Sequence, residues 1–462
     1  MCSIVDGAFP VEEEKTQVTN LDDKVCQKCK TERPVLTLRK KDVYCKACFL
    51  TNCNHKFRST LGKNKAIKPK DRILVAFSGS QGSLAVLKLI RNSLEDENNP
   101  KKVNYTPHIL IIDDGLIDFS TIVELAQKFN FPIYAVHLSE IMNLAQDPNK
   151  NIAVKIDDYE KPKHSNDLSA FLNQSSDQTS KTMAIKDLRR QILIKSAIEL
   201  NSLKIFTGEC ATSLAITLLS GVASGRGAQV GNEAAFSDQR HSQVQILRPL
   251  REFSVKEVAF FNQHNPGEEV PIPHENEGTK QDAKSFSIEK LTESFVLGLQ
   301  EGFPSTVPTI FRTGDKLLLD ISSEELQCVL CHGLIDKGTQ KRGCSALEAT
   351  QFSRLVSEKG PEGLPQDQLA AEMFEGLSLA NQNEGCNGDA DQSECSGNGL
   401  CSEGSTGGCS SKQEHIDLAQ VLCYSCSNST KDPESLPTFI KNAAKKSIRQ
   451  KQMKDEIQDF LL

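Results

Sequence analysis

The chain has 462 residues, with 54 Lys and Arg against 61 Asp and Glu and a formal net charge of −7. That balance excludes a globally basic nucleic-acid binder, so any nucleic-acid contact must come from local patches, and the length suits two or three domains. No run of about 18 apolar residues is present, which excludes a transmembrane helix, and no basic-then-apolar secretory signal opens the chain.

The protein therefore reads as cytosolic with no membrane contact, and in a reducing compartment its 16 cysteines read as metal ligands rather than disulfides.

Residues 1–24 are polar and acidic and are expected to be disordered. Residues 25–60 carry the first cysteine module. Cys26-X2-Cys29 and Cys45-X2-Cys48 are two knuckles spaced as in a zinc ribbon, so that four thiolates can surround one ion. Cys53 and His55 follow closely and could replace one ligand, although a fifth donor is more often a bystander. Residues 61–72 form a basic connector. Lys56, Arg58, Lys63, Lys65, Lys68, Lys70 and Arg72 concentrate positive charge between the first cysteine module and the sheet. Such a run is either a solvated face or a surface for phosphate contacts, which need charge but no base readout.

From Arg72 strands and helices alternate. Apolar runs predict strands at Ile73–Phe77, His108–Ile112, Pro132–Val136, Lys204–Thr207 and Val244–Leu247. Helical spacing predicts helices at Ser83–Ser93, Asp118–Asn130, Thr182–Asn201, Ala211–Leu219 and Ser254–Gln263, the last opened by a capping box of Ser254 and Glu257. Repeated strand–helix–strand units imply a parallel α/β sheet covered on both faces. This domain is expected over 61–265, with a polar insertion loop at 149–180. A helical or linker region at 266–327 follows. The second cysteine module, 328–430, pairs Cys328-X2-Cys331 with Cys423-X2-Cys426 across a long insertion. Such an insertion is tolerable because loop-closure entropy grows slowly with length; Cys344 is an alternative ligand. Residues 380–415 are Gly, Ser, Asn and Cys-rich and read as disordered, and Cys386, Cys395, Cys401 and Cys409 within them are not read as a disulfide module. A basic terminal helix closes the chain at 442–462.

The turn Ser78-Gly79-Ser80-Gln81-Gly82-Ser83 ends a strand and opens a helix, which presents backbone N–H groups to an anion. The turn resembles the phosphate loop of the N-type ATP pyrophosphatase (PP-loop) family, which reads Ser-Gly-Gly-X-Asp-Ser. Ser78, Gly79 and Ser83 match; Ser80 and Gly82 depart. The resemblance implies that Ser78, Gly79, Ser80, Ser83 and Asp113 mark a nucleotide site and that the Asp missing at position 82 served the metal–pyrophosphate group, which puts ATP binding in doubt. Gly208-Glu-Cys-Ala-Thr-Ser stands where active members carry Gly-His-Asn-X-Asp-Asp, so Thr212 and Ser213 replace both aspartates. Together with the terminal cysteine modules and the stretch Arg248–Val258, the chain from about 20 to 440 resembles the family of second subunits of the cytoplasmic tRNA 2-thiolation complex.

That resemblance implies an adenine-nucleotide α-hydrolase-like domain flanked by zinc modules, two zinc ions, and a degenerate, non-catalytic subunit. The partner implied is an active thiolase that takes sulfur from a thiocarboxylated ubiquitin-related modifier to the wobble uridine of certain tRNAs, with Lys63, Lys65, Lys68 and Lys70 as tRNA contacts. No cysteine lies between Cys53 and Cys210, so the domain also lacks the thiols on which the active subunit's sulfur chemistry rests, and Cys210 reads as a buried inert thiol. Two rival readings are a self-sufficient ATP-dependent tRNA sulfurtransferase and a zinc-ribbon adaptor unrelated to tRNA.

Overall fold

A computed structural model describes residues 24–38, 42–96, 102–114, 118–143, 150–161, 166–174, 177–227, 229–265, 287–317, 327–335, 421–429 and 438–461. The expected disordered stretches 1–24 (apart from Lys24) and 380–415 lie outside these residues, as do Cys344, Cys386, Cys395, Cys401 and Cys409. Among the described residues no helix is long and apolar enough to cross a membrane.

The centre is a seven-stranded sheet. β3 (Arg72–Ala76), β4 (Thr106–Asp113), β5 (Ile133–His137), β7 (Lys204–Phe206) and β9 (Gln245–Leu247) run parallel, and β6 (Val154–Lys155) and β8 (Ser237–Asp238) close the two edges antiparallel, in the order β6-β5-β4-β3-β7-β9-β8. Arg72–Ala76 pairs in register with Thr106–Leu110, and Ile73–Val75 with Lys204–Phe206. Successive residues of a strand face opposite sides. Ile73, Val75, Ile109 and Ile111 join the core cluster with residues of α1 (Lys46–Lys63), α2 (Gln81–Glu95), α3 (Phe119–Gln127) and α9 (Val255–His264), and the alternate Leu74, Leu110 and Ile205 are buried as well. Burial on both faces is why these strands read as continuous apolar runs.

The expected α/β class holds, with three local differences. Residues 149–180, expected as an insertion loop, contain β6, a 3-10 turn (Ile156–Asp158), α5 (Asn166–Gln174) and the start of α6 (Gln178–Glu199). Helix α6 starts earlier than expected because Asp177 caps it, accepting from the Ser180 N–H at 2.8 Å. Helix α1 runs on to Lys63, so the basic connector begins inside a helix.

After α7 (Ala211–Ala223), α8 (Val230–Ala234) and α9 come α10 (Ile288–Gly302) and α11 (Thr306–Asp315), which pack on α7 through Val296, Val307, Ala215 and Ile216. The chain ends in α12 (Tyr424–Ser429) and α13 (Thr438–Leu461), whose Ile440 and Ala444 are buried.

Candidate functional site

Three features carry chemistry: two cysteine clusters and one cleft at the carboxyl ends of the parallel strands, where open α/β sheets bind ligands.

In the first cluster, β1 (Leu36–Leu38) and β2 (Asp42–Tyr44) form a hairpin that brings the Cys26 turn beside the start of α1. Cys45 is the N-cap of α1, and its Sγ accepts from the Cys48 N–H at 3.5 Å. Lys30, the residue after Cys29, takes a left-handed φ of 60°, which lets the turn close as Lys30 N–H donates to the Cys26 carbonyl at 2.8 Å. The second cluster repeats this design. His332, the residue after Cys331, has φ 55°, and its N–H donates to the Cys328 carbonyl at 2.8 Å, while Cys423 precedes α12.

In each cluster all four sulfurs lie within 4.8 Å of one another. Cys29 and Cys45 are 3.9 Å apart, and Cys331 and Cys423 3.7 Å. Four sulfurs placed tetrahedrally at zinc–thiolate bond lengths are about 3.8 Å apart, and a disulfide would need about 2.05 Å. Both sets therefore fit one tetrahedral ion each. Neither Cys53 nor His55 joins the first cluster; both are in α1, where Cys53 is buried on the core face and His55 is exposed. The thiols are already electrostatically uneven. The Thr31 side chain pulls Cys29 down to about 6, a hydrogen bond from Cys328 pulls Cys331 down to about 7, and burial pushes Cys45 up. Four thiolates this close would repel one another, and one cation among them would balance that charge.

The cleft has a volume of about 1200 Å³ and is lined by the turns after β3, β4 and β7 and by α6. Gly79 has φ 73°, which suits glycine. Ser80 caps α2, accepting from the Ser83 N–H at 3.4 Å, and the Ser78, Ser80 and Ser83 hydroxyls form a chain of 3.1 and 3.2 Å contacts. These residues thus line one wall together, as the sequence pattern suggests.

Gly82 does not face open cleft. A Cβ built there would overlap the Gly208 carbonyl oxygen, far inside the 3.0 Å that real Cβ atoms keep, and one built on Gly208 would overlap Ser83 and Gly82 backbone. The two turns meet backbone to backbone. Thr212 and Ser213 are likewise committed to the fold: Thr212 Oγ1 accepts from the Val255 N–H at 3.4 Å, and Ser213 Oγ closes the cap of α7, accepting from the Cys210 N–H at 2.9 Å. Cys210 is buried at that cap.

Asp113, at the end of β4, is buried. It accepts from the Tyr159 hydroxyl at 2.9 Å, and Lys161 lies 3.9 Å away. Burial, then the Asp113 carboxylate, push the Tyr159 phenol up. Asp114 pairs with Arg189 of α6. The segment between β5 and α6 thus covers the acidic turn.

The cleft floor holds a feature that sequence reasoning misses. Asp238, fully buried, is met by Arg190 at 2.5 Å, Arg240 at 2.7 Å and Arg248 at 3.6 Å. Burial alone would raise its carboxyl, but Arg240, Arg190 and Arg248 together hold it well below the usual carboxylate range. Arg226 pairs with Asp187 at 2.5 Å and Glu233 at 3.4 Å. The four arginines have no regular spacing, and only their ending in a buried position marks them.

Lys63, Lys65, Lys68 and Lys70 are all exposed, and none forms a side-chain ion pair with another described residue. Lys56 and Arg58 are paired, with Glu257 and Asp96. The four lysines precede the amino end of β3, and Ser78–Ser83 follow its carboxyl end. A five-residue strand is about 16 Å long, so Lys68 and Lys70, just before β3, and the cleft lie at opposite ends of that strand.

Comparison with known proteins decides the family. The profile described as cytoplasmic tRNA 2-thiolation protein 2 matches residues 287–428. Cytoplasmic tRNA 2-thiolation protein 2 of Danio rerio is 32% identical over 525 residues, covering 100% of this chain and 99% of that protein. The 2-B protein of Xenopus laevis is 31% identical over 531 residues, with 100% and 99% covered. This chain belongs to the cytoplasmic tRNA 2-thiolation protein 2 family. Among solved structures it is similar to the U34-tRNA thiolase NcsA from Methanococcus maripaludis with its 4Fe-4S cluster, at 17% identity and a TM-score of 0.46, over 65% of this chain and 89% of that one. The profile of the tRNA 2-thiolation protein 2 family begins at the N-cap of α10 and ends in α12, so it spans the whole second cysteine set.

Proposed function

We propose that this chain is the non-catalytic subunit of a cytoplasmic tRNA 2-thiolation enzyme, paired with an active ATP-dependent thiolase. The partner adenylates the wobble uridine oxygen and transfers sulfur from a thiocarboxylated ubiquitin-related modifier; this chain supplies tRNA-binding surface and shape. The observation that carries the reading is the contact between Gly82 and Gly208. The position at which the resembling family keeps an aspartate for the metal–pyrophosphate group is filled by another turn's backbone. Thr212 and Ser213, at the next two acidic positions, are spent on caps and turns. A cleft that retains the anion-cradling turn without these carboxylates lacks the groups that stabilise transferring phosphate charge, each worth about 10²–10³-fold. ATP chemistry is therefore assigned to the partner.

Each cysteine set would hold one zinc ion through four thiolates, and the ion would supply folding energy rather than reactivity. The exposed Lys63, Lys65, Lys68 and Lys70 are the proposed phosphate contacts.

Affinity isolation of the native protein, with identification of bound protein and RNA, tests the reading. A homologous thiolase and tRNA should co-purify in stoichiometric amounts. Recovery of the chain with neither would contradict it, and recovery with unrelated proteins and no RNA would favour an adaptor.

A further inference from the structure

The buried charges between the second cysteine set and the cleft form one connected series. Arg226 Nη2 lies 3.9 Å from Cys426 Sγ, and the same guanidinium reaches Glu233 at 3.4 Å. Glu233 is shared with Arg240 at 2.9 Å, and Arg240 also donates to the Cys331 carbonyl at 3.4 Å. Arg240 pairs with Asp238, and Asp238 with Arg248. Arg248 Nε donates at 2.8 Å to Glu209, the neighbour of Gly208, which also accepts from Thr207 Oγ1 at 3.0 Å. Gly208 in turn rests on Gly82.

We infer that the second cysteine set positions the cleft: a metal held by Cys328, Cys331, Cys423 and Cys426 fixes Arg226 and Arg240, and the ion-pair series carries that constraint to Glu209, holding the turn after β7 against the turn after β3.

The reason is desolvation. Asp238, Arg240, Arg226 and Arg248 are all more than nine-tenths buried. A member of such a series that loses its partner is left as an uncompensated charge with no water to replace it. Each link therefore dictates the geometry of the next, which is the contiguous packed network that energetic coupling needs. The Gln229 side-chain amide packs at the same end, 3.3 Å from Cys331 Sγ. The first cysteine set gives an internal control. It reaches the core through α1 and the Lys56–Glu257 pair, and among the described residues no ion pair joins it to this series. The inference rests on the cysteine and charge geometry and is independent of the tRNA reading.

Hydrogen–deuterium exchange on the full chain tests it, read on peptides covering 78–84 and 206–211, with zinc counted in the same samples. Cys423→Ser should lose one ion and speed exchange in both turns by about tenfold or more, the scale of one charged hydrogen bond. Cys26→Ser should lose one ion and leave these two turns protected.

Glu209→Ala is the decisive variant, because it removes the oxygen that accepts from both Arg248 Nε and Thr207 Oγ1, while Glu209 is 37% exposed in its side chain, so the fold should hold without it. It should keep both ions and the global melting temperature, and still speed exchange in both turns. Unchanged protection in Glu209→Ala, or a Cys423→Ser protein whose turns stay as protected as the wild type, overturns the inference. Should Cys423→Ser unfold globally, Glu209→Ala alone decides.

Discussion

Replacing Gly82 by alanine adds one methyl group at the point where two backbone turns touch. Nothing flexible lies in its way: the obstructing atoms are the carbonyl oxygen, carbonyl carbon and Cα of Gly208, so the turns must part by about an ångström. Because only backbone obstructs, the upper part of the overpacking range applies, about 2–3 kcal/mol; less a helix-propensity gain of about 1 kcal/mol at a position in α2, the net loss is about 1–2 kcal/mol. For a cooperative unit of this size that lowers the melting temperature by about 2–8 °C. Gly62 is the matched control. It lies in α1 with nothing within 4 Å of a built Cβ, so Gly62→Ala should be neutral or stabilising by up to about 1 kcal/mol. Gly208→Ala meets Gly82 and Ser83 reciprocally. Once one substitution has parted the turns the second has less to displace, and the double variant should cost less than the sum of the singles. Scanning calorimetry of the four proteins checks this. If Gly82→Ala melts at or above the wild type while Gly62→Ala behaves as expected, the turns are not in contact and the closed acidic position is wrong. Gly82→Asp should likewise lose stability without gaining ATP binding.

Metal analysis of protein purified under reducing, chelator-free conditions should find about two zinc ions per chain, and Cys26→Ser should lower this to about one. That variant should also destabilise the N-terminal module, since metal binding and folding are coupled there; a count of two ions in Cys26→Ser would remove Cys26 from the ligand set. Changing Lys63, Lys65, Lys68 and Lys70 together to Ala should weaken tRNA binding by the paired complex and flatten its salt dependence by roughly one unit per lost contact, with subunit pairing intact. Unchanged affinity and slope would leave the strip a solvated face. Burial lowers the imidazoles of His108 and His137 in the folded state, helped at His108 by Arg72. The unfolded chain therefore binds more protons as pH falls through about 6.5, so these groups withdraw stability between neutral pH and the folded-state values. His137→Asn should show a shallower decline in melting temperature from pH 7 to 5 than the wild type, and equal slopes would refute the assignment.

What was legible in the sequence follows from how local each signal is. The parallel strands announced themselves because both faces of Ile73–Val75 and Ile109–Ile111 are buried. Both cysteine sets were legible because two-residue spacing within each pair is all a knuckle needs, and even a gap of ninety-odd residues did not hide the second. The two-residue edge strands β6 and β8 were not, since so short a pairing leaves no periodicity to read. Within 149–180 the polar composition was real, but Ile152, Leu168 and Phe171 are buried, and these isolated apolar residues anchor it. The ionic series was invisible for another reason. Arg190, Arg226, Arg240 and Arg248 come from four separate elements or turns, and only the fold brings them to Asp238 and Glu233. Gly82 read as a missing carboxylate; that its place is taken by Gly208 depended on a contact between residues 126 positions apart.

The central claim is that this chain enables thiolation without performing it. Its most direct test is mass-spectrometric measurement of 2-thiouridine in tRNA incubated with ATP and a thiocarboxylated sulfur donor, comparing this chain alone, the homologous thiolase alone, and the two together. Thiolated tRNA should form efficiently only with both proteins present, and this chain alone should give none. Thiolation or uridine adenylation by this chain without its partner would contradict the account.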